Sequence, residues 1–450
     1  VNTNLTLAIN SAASIGCCVT NVGPTDIQEQ RKHIILGLIW QLIRKCIVDS
    51  VTLAKHGELA ALLRDGETLD DLSKLKPEEL LMRWVNFQLE RAGCNRRMKN
   101  FNDDIHDSEI YSYLMNQISP DHMKKSMITK DETMGKGDLK LRANDIWSNA
   151  NTMDCGSLIT PEAIFMAKDP KERNDNLHLG FVATLFNMYP AMDPPAEPVD
   201  LTAYEETLEE KTYRNWMNSL GVTPYVNHLY TGLQDGLVLL QLLEMIHPNS
   251  VNWKIANNTF DVKKVLYQKT SNCNLFVDSA RKQGIKLVNI SGNDIFEENK
   301  KLVLGTCFSL MQAYLYTLLK KVRKGSDTFK ADEKEILNWT NQMLAQADEP
   351  EPPLANFRDK RLLTSWPICA VVNSIVPGTA CKDQMSSDNF QNAVYSLSCA
   401  RKAGAKVYAL PEHIVNMDGK MIMTIFVCLM IEYHTRQAII NGDQVAATGF

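Results

Sequence analysis

Apolar residues fall along this chain in two kinds of run. Some are almost unbroken: HIILGLIWQLI from His33, KLVLGTCFSLM from Lys301 and MIMTIFVCLMI from Met421. Runs this apolar read as helices buried on most sides. Others alternate at helical spacing, as in LLMRWVNFQL, TYRNWMNSLG and EILNWTNQML, and predict amphipathic helices. Each of these carries Trp-x-Asn: Trp84-Val85-Asn86, Trp216-Met217-Asn218 and Trp339-Thr340-Asn341. The intervals of 132 and 123 residues are the size of a small domain, so the chain reads as copies of one unit. A fourth match, Trp147-Ser148-Asn149, is out of register and is read as chance.

A closing block repeats at the other end of each unit, from Asn2, Arg142, Asn272 and Asn389. It opens with a helix in which Ala precedes Gly by four residues: Ala12 and Gly16, Ala280 and Gly284, Ala400 and Gly404. Such a glycine reads as a helix stop. The second copy has Asp154 in that place. A short extended stretch and a brief acidic turn follow, and then one of the strongly apolar helices. Between the Trp-x-Asn helix and the closing block lies a helix ending at Pro120, Pro248 or Pro377, where proline cannot continue it. One unit is thus four main helices, and the fold class is all-α. The closing block occurs four times and the Trp-x-Asn block three times, so the first unit is expected to be only a C-terminal part. Its last helix, HIILGLIWQLI, is then expected to expose a large apolar face.

A Trp-x-Asn first helix, a D-G/S-x-x-x-x-L-L helix ending at Pro, and an A-x-x-x-G block closing on an apolar helix together resemble the calponin-homology domain. Four such units resemble the core of the fimbrin (plastin) family. The likeness is closest over Ala61–Gly93, Arg214–Asp235 and Ala400–Val415 and extends from about Asn2 to Arg436. It implies repeated calponin-homology domains in a compact arrangement of two tandem pairs. The units would be residues 1–46 (end of domain 1), 77–189 (domain 2), 205–322 (domain 3) and 331–438 (domain 4). Residues 47–76, a Pro-rich and acidic 190–204, and 323–330 would be linkers, and 439–450 a tail. Lys125–Asp138 reads as a mobile loop within domain 2.

The implied function is binding of filamentous actin and crosslinking of filaments into tight bundles; the alternative is a scaffold or adaptor with a non-actin partner. In tandem pairs of this family the first and last helices of the leading domain and the first helix of the trailing one face the filament. Here these are Glu205–Leu220, Asn299–Tyr314 and Ala331–Ala345, with candidates Lys211, Arg214, Asn299, Lys300, Lys301 and Lys334. For the first pair they are Arg31–Ile43 and Glu78–Glu90, with Arg31, Lys32, His33 and Arg83. The family's paired calcium-binding EF-hands have no counterpart, since no D-x-[DN]-x-[DN]-G loop occurs. No cofactor is expected. The expected location is the cytoplasmic actin cytoskeleton, and the expected state a monomer.

Composition narrows the alternatives. A net charge of −5 argues against a bulk electrostatic grip on nucleic acid or on an anionic membrane. The apolar run near Met421 is shorter than the about 20 residues a bilayer span needs. Eleven cysteines without paired spacing, with Cys307, Cys369 and Cys428 inside apolar helices, read as buried thiols and not as a zinc site. No P-loop, HExxH or GxSxG pattern is present, so no enzymatic activity is expected. The three tryptophans are read as core, each indole N–H finding a backbone partner. Asn86, Asn218 and Asn341 are read as structural, bonding a neighbouring loop.

Overall fold

The apolar periodicity becomes helices throughout, and the described residues contain no strand. A computed structural model describes residues 2–172, 174–195, 200–323 and 332–441. The expected linker at 323–330 lies, after its first residue, outside the described residues, as do 196–199, Ala331 and the tail from 442. By contacts the chain divides into two units, Ile39–Glu205 and Val1–Leu38 with Glu206–Phe450.

In the unit Ile39–Glu205 the Trp84 helix, Pro77–Arg91, starts on a proline that tolerates the first helical position. It buries Leu80, Leu81, Trp84, Val85, Gln88 and Leu89. Glu109–Ile118 ends two residues before Pro120. Leu139–Thr152 ends where Asp154 turns left-handed at φ 55°, the place other copies give to glycine. The closing helix Asp175–Met188 sets Phe186 edge-on to Trp84, ring centroids 5.3 Å apart, and Phe181 against Tyr111 at 5.2 Å. Residues 47–76 are not a spacer: Val48, Val51, Leu53, Leu59, Leu62 and Leu72 are buried in this same core. The stretch read as a mobile loop is likewise built. It contains the helix Lys130–Met134, capped by the Thr129 hydroxyl, and it buries Met127 and Thr133.

In the other unit two four-helix sets share one core. The first comprises Leu208–Ser219, Leu237–Ile246, Val265–Lys282 and Lys300–Val322. The second comprises Glu333–Ala345, Trp366–Ile375, Asn389–Lys402 and Gly419–Ile440. The helices ending at Ile246 and Ile375 stop two residues before Pro248 and Pro377. Lys300–Val322 is, by length and composition, apolar enough to cross a membrane, although the sequence reading found no such run. It instead buries Val303, Cys307, Leu310, Met311 and Tyr314 in this core, packed between Leu208–Ser219 and Gly419–Ile440.

The helix Asn2–Ser14 belongs to this unit too. It packs on Asn389–Lys402 and Leu208–Ser219. Asn10 Nδ2 donates to the Arg401 carbonyl at 3.0 Å, and Asn215 Nδ2 donates to the Ser14 carbonyl at 3.3 Å. The next long helix, Lys32–Ile43, leaves its apolar face exposed, as expected for this copy although not for strongly apolar helices in general. It has no buried residue, Leu36 is 64% exposed and Ile39 45%, and the division between units falls inside it. Of the eleven cysteines eight are buried, including Cys307, Cys369 and Cys428, while Cys46 and Cys381 are exposed.

Candidate interaction surface

Each Trp-x-Asn helix turns its Trp inward and spends its Asn on one loop residue. Asn86 Oδ1 accepts from the Met98 N–H at 2.7 Å and Asn86 Nδ2 donates to the Met98 carbonyl at 2.9 Å. Asn218 grips both backbone groups of Val226 at 2.9 Å. Asn341 grips those of Leu354 at 2.7 and 3.0 Å. Asn149, from the match set aside as chance, clamps Ile128 in the same way, at 2.8 Å for both bonds. A primary amide offers one acceptor and two donors, so it satisfies a loop residue that no helix can pair with.

The tryptophans divide. Trp84 Nε1 donates to the Pro190 carbonyl at 2.8 Å, as the sequence reading expects. Trp216 and Trp339 are core residues as well, but their buried Nε1 atoms find no acceptor among the described residues, which corrects the expectation for two of the three. Pro190 and Ala191 are therefore docked residues and not free linker. Gln88 Nε2 donates to both their carbonyls at 3.0 and 2.9 Å.

With these helices pinned, their outer faces carry the candidate cations. Lys211 on Leu208–Ser219, Lys300 and Lys301 on Lys300–Val322, and Lys334 on Glu333–Ala345 are all exposed. All three helices belong to one unit. Lys300 Nζ stands 5.6 Å from the centroid of the Tyr230 ring, a cation–π distance. Lys32 and His33 are exposed at the start of Lys32–Ile43.

Other candidates are committed elsewhere. Arg83 makes a two-pronged pair with Glu67 at 2.6 and 2.9 Å, with only 14% of its side chain exposed. That guanidinium holds the Glu67 carboxyl below the usual carboxylate range. Arg214 is forked onto Glu206 at 2.5 and 2.7 Å. Arg31 bonds Asp26 at 2.6 Å and Glu29 at 2.8 Å. Asn299 is exposed, yet its side chain caps the helix behind it by accepting from the Leu302 N–H.

Sequence reasoning missed a cleft of about 1000 Å³ between Lys300–Val322 and the start of Gly419–Ile440. Lys286, Lys320, Arg358 and Lys420 line it, and Asp332 and Glu333 balance part of their charge. These cations come from separate segments, so no local pattern announces them. Among the described residues no cluster of His, Cys, Asp and Glu is arranged to hold a metal.

Comparison with known proteins agrees with this architecture. The calponin homology (CH) domain family model matches residues 75–191, 207–315 and 330–435. Human plastin-3 is 41% identical over 444 residues, covering 96% of this chain and 68% of that protein. Chicken plastin-1 is 40% identical and zebrafish plastin-2 39%, each over 444 residues and 96% of this chain; they are covered to 68% and 69% of their own lengths. Among solved structures, the actin-crosslinking core of Schizosaccharomyces pombe fimbrin is similar at a TM-score of 0.76. It is 30% identical, with 95% of this chain and 84% of that one covered. Repeated helical units, their inward tryptophans and these likenesses place the chain in the fimbrin/plastin family of calponin-homology proteins.

Proposed function

We propose that this chain binds actin filaments and crosslinks them into tight bundles through tandem calponin-homology modules. The observation that carries the reading is one unit in which two complete domains share a core and present exposed lysines from the three helices expected to face a filament. The solved relative named as an actin-crosslinking core supports it. Two modules on one chain make the second engagement intramolecular, so avidity in a bundle exceeds either module's own affinity. The work is non-covalent and uses no cofactor, in a monomer of the cytoplasmic actin cytoskeleton, with neither nucleic acid nor membrane as a partner.

Within this reading Lys211, Lys300, Lys301 and Lys334 contact the filament, with Lys32 and His33 serving the first module. Arg83, Arg214 and Asn299 support the helices that carry such contacts. Co-sedimentation with filamentous actin tests it: a bundler pellets the filaments at low as well as high centrifugal speed. Reversing Lys211, Lys300, Lys301 and Lys334 together to Glu is expected to abolish low-speed pelleting, while Arg214→Ala leaves most of it. Failure to pellet at either speed would sink the actin reading in favour of an adaptor.

A further inference from the structure

The second and fourth calponin-homology domains differ in what covers the outer end of the Trp helix. In the second, the closing helix stops at Met188 and Pro190 prevents its continuation. The chain then lies across Trp84, Gln88 and Arg91, whose side-chain N–H groups donate to the carbonyls of Pro190 and Ala191. In the fourth, Tyr433 takes the place of Phe186 against the indole, ring centroids 5.9 Å apart. Its helix, however, runs on to Ile440 and does not turn back. Among the described residues, the face left open is the same one. A cavity of about 310 Å³ is lined by Trp339, Gln342, Met343 and Gln346 on one side and by Met430, Tyr433 and His434 on the other, with Arg323, Glu335 and Asn338 at its polar edge.

Among the described residues, two polar atoms in its lining lack partners. Trp339 is 7% exposed, and its Nε1 is buried with no acceptor. His434 Nε2 is likewise buried and unpaired. Burial and the nearby Arg323 push the His434 pKa down to about 4, so the ring is neutral and able to accept or donate. An unpaired buried N–H is costly, and an incoming carbonyl would satisfy it. The volume is at the small end of the roughly 300–1,000 Å³ typical of ligand sites.

We infer that this groove is a docking site for an extended, proline-containing peptide segment of a partner protein, with a backbone carbonyl accepting the Trp339 Nε1–H. The occupant's chemistry comes from the molecule itself: Tyr189-Pro190-Ala191 fills the equivalent groove of the second domain. Where that groove has Gln88, this one has Met343, so the fourth domain selects an apolar side chain where the second makes further hydrogen bonds.

The test uses the full chain, ¹⁵N-labelled, with the indole resonance of Trp339 assigned from Trp339→Phe. The probe is the capped peptide Asn-Met-Tyr-Pro-Ala-Met, the sequence of residues 187–192. A saturable shift of the Trp339 indole signal is expected, with binding, followed through the backbone amides of Gln342 and Gln346, about tenfold weaker in Trp339→Phe, the worth of one hydrogen bond. Gln346 is exposed, so Gln346→Trp is expected to fold normally and to block the groove. No shift at millimolar peptide would overturn the inference, and so would binding indifferent to both substitutions. A shift seen only in a chain ended at Asn441 would assign the groove to the residues that follow Asn441 and overturn a partner's claim to it.

Discussion

Lys32–Ile43 and Gly419–Ile440 are both closing helices with strongly apolar sequences, yet they have opposite fates. From Met421 to Met430 the later helix buries every residue, while the earlier one buries none. Composition specifies the helix in both cases; burial requires partners. Gly419–Ile440 meets Glu333–Ala345, Trp366–Ile375 and Lys300–Val322. Asn2–Ser14, from the same closing block as the earlier helix, packs on Asn389–Lys402 and Leu208–Ser219. A repeat in sequence is therefore not always a repeat in packing.

The sharpest way to break this comparison is to truncate one residue in each helix. Phe426→Ala, at a fully buried position, should cost about 3–5 kcal/mol, whereas Leu36→Ala should stay within roughly 0.5 kcal/mol. Thermal unfolding of both variants checks this, and equal losses would mean that Lys32–Ile43 is covered in solution.

A second contrast concerns the core of the unit Ile39–Glu205. His178 is buried against Tyr111, with Oη to Nδ1 at 3.0 Å, and its Nε2 lies 3.0 Å from the Ala163 carbonyl. Burial pushes its pKa down to about 4 from an ordinary 6.5. The folded state thus disfavours the protonated ring. Its stabilising contribution is complete above pH 6.5 and is lost as pH falls towards 4, about 3 kcal/mol in all. Unfolding temperatures measured between pH 7 and 4 should show this slope, and His178→Gln should flatten it.

Cutting one asparagine clamp should have a smaller effect. Asn341→Ala leaves the Leu354 N–H and carbonyl without their side-chain partner, at about 1–3 kcal/mol, and hydrogen exchange should quicken at Leu354 ahead of its neighbours. Smallest is Asp154→Gly. Asp154 holds φ 55°, a conformation glycine adopts freely, so the substitution should stabilise by about 0.5–1 kcal/mol in denaturant titration.

Local chemistry was legible in the sequence, and long-range partnership was not. The prolines marked the ends at Ile118, Ile246 and Ile375, and the Ala-x-x-x-Gly pattern marked left-handed stops at Gly16, Gly284 and Gly404. Each of these is decided within a few residues. By contrast, 47–76 reads as a linker, yet Val48, Val51, Leu53, Leu59, Leu62 and Leu72 all reach a core made with distant helices. The cations followed the same rule. Lys211, Lys300, Lys301 and Lys334 are exposed as their helix faces suggest, but Glu67 claims Arg83 from 16 residues away. Trp84 finds its acceptor at Pro190, just past the end of its closing helix and outside the Trp-x-Asn motif, while Trp216 and Trp339 find none among the described residues.

The asparagine clamps also bear on how such a chain can change. The amide grips only main-chain atoms, so it is indifferent to which side chain the loop carries: Met98, Val226, Leu354 and Ile128 all serve. It is equally indifferent to the length of loop between the partners, which lie 12, 8 and 13 residues apart in the three Trp-x-Asn copies. A fastening that reads neither sequence nor length lets the loops lengthen, shorten and drift while the helices behind them keep their register.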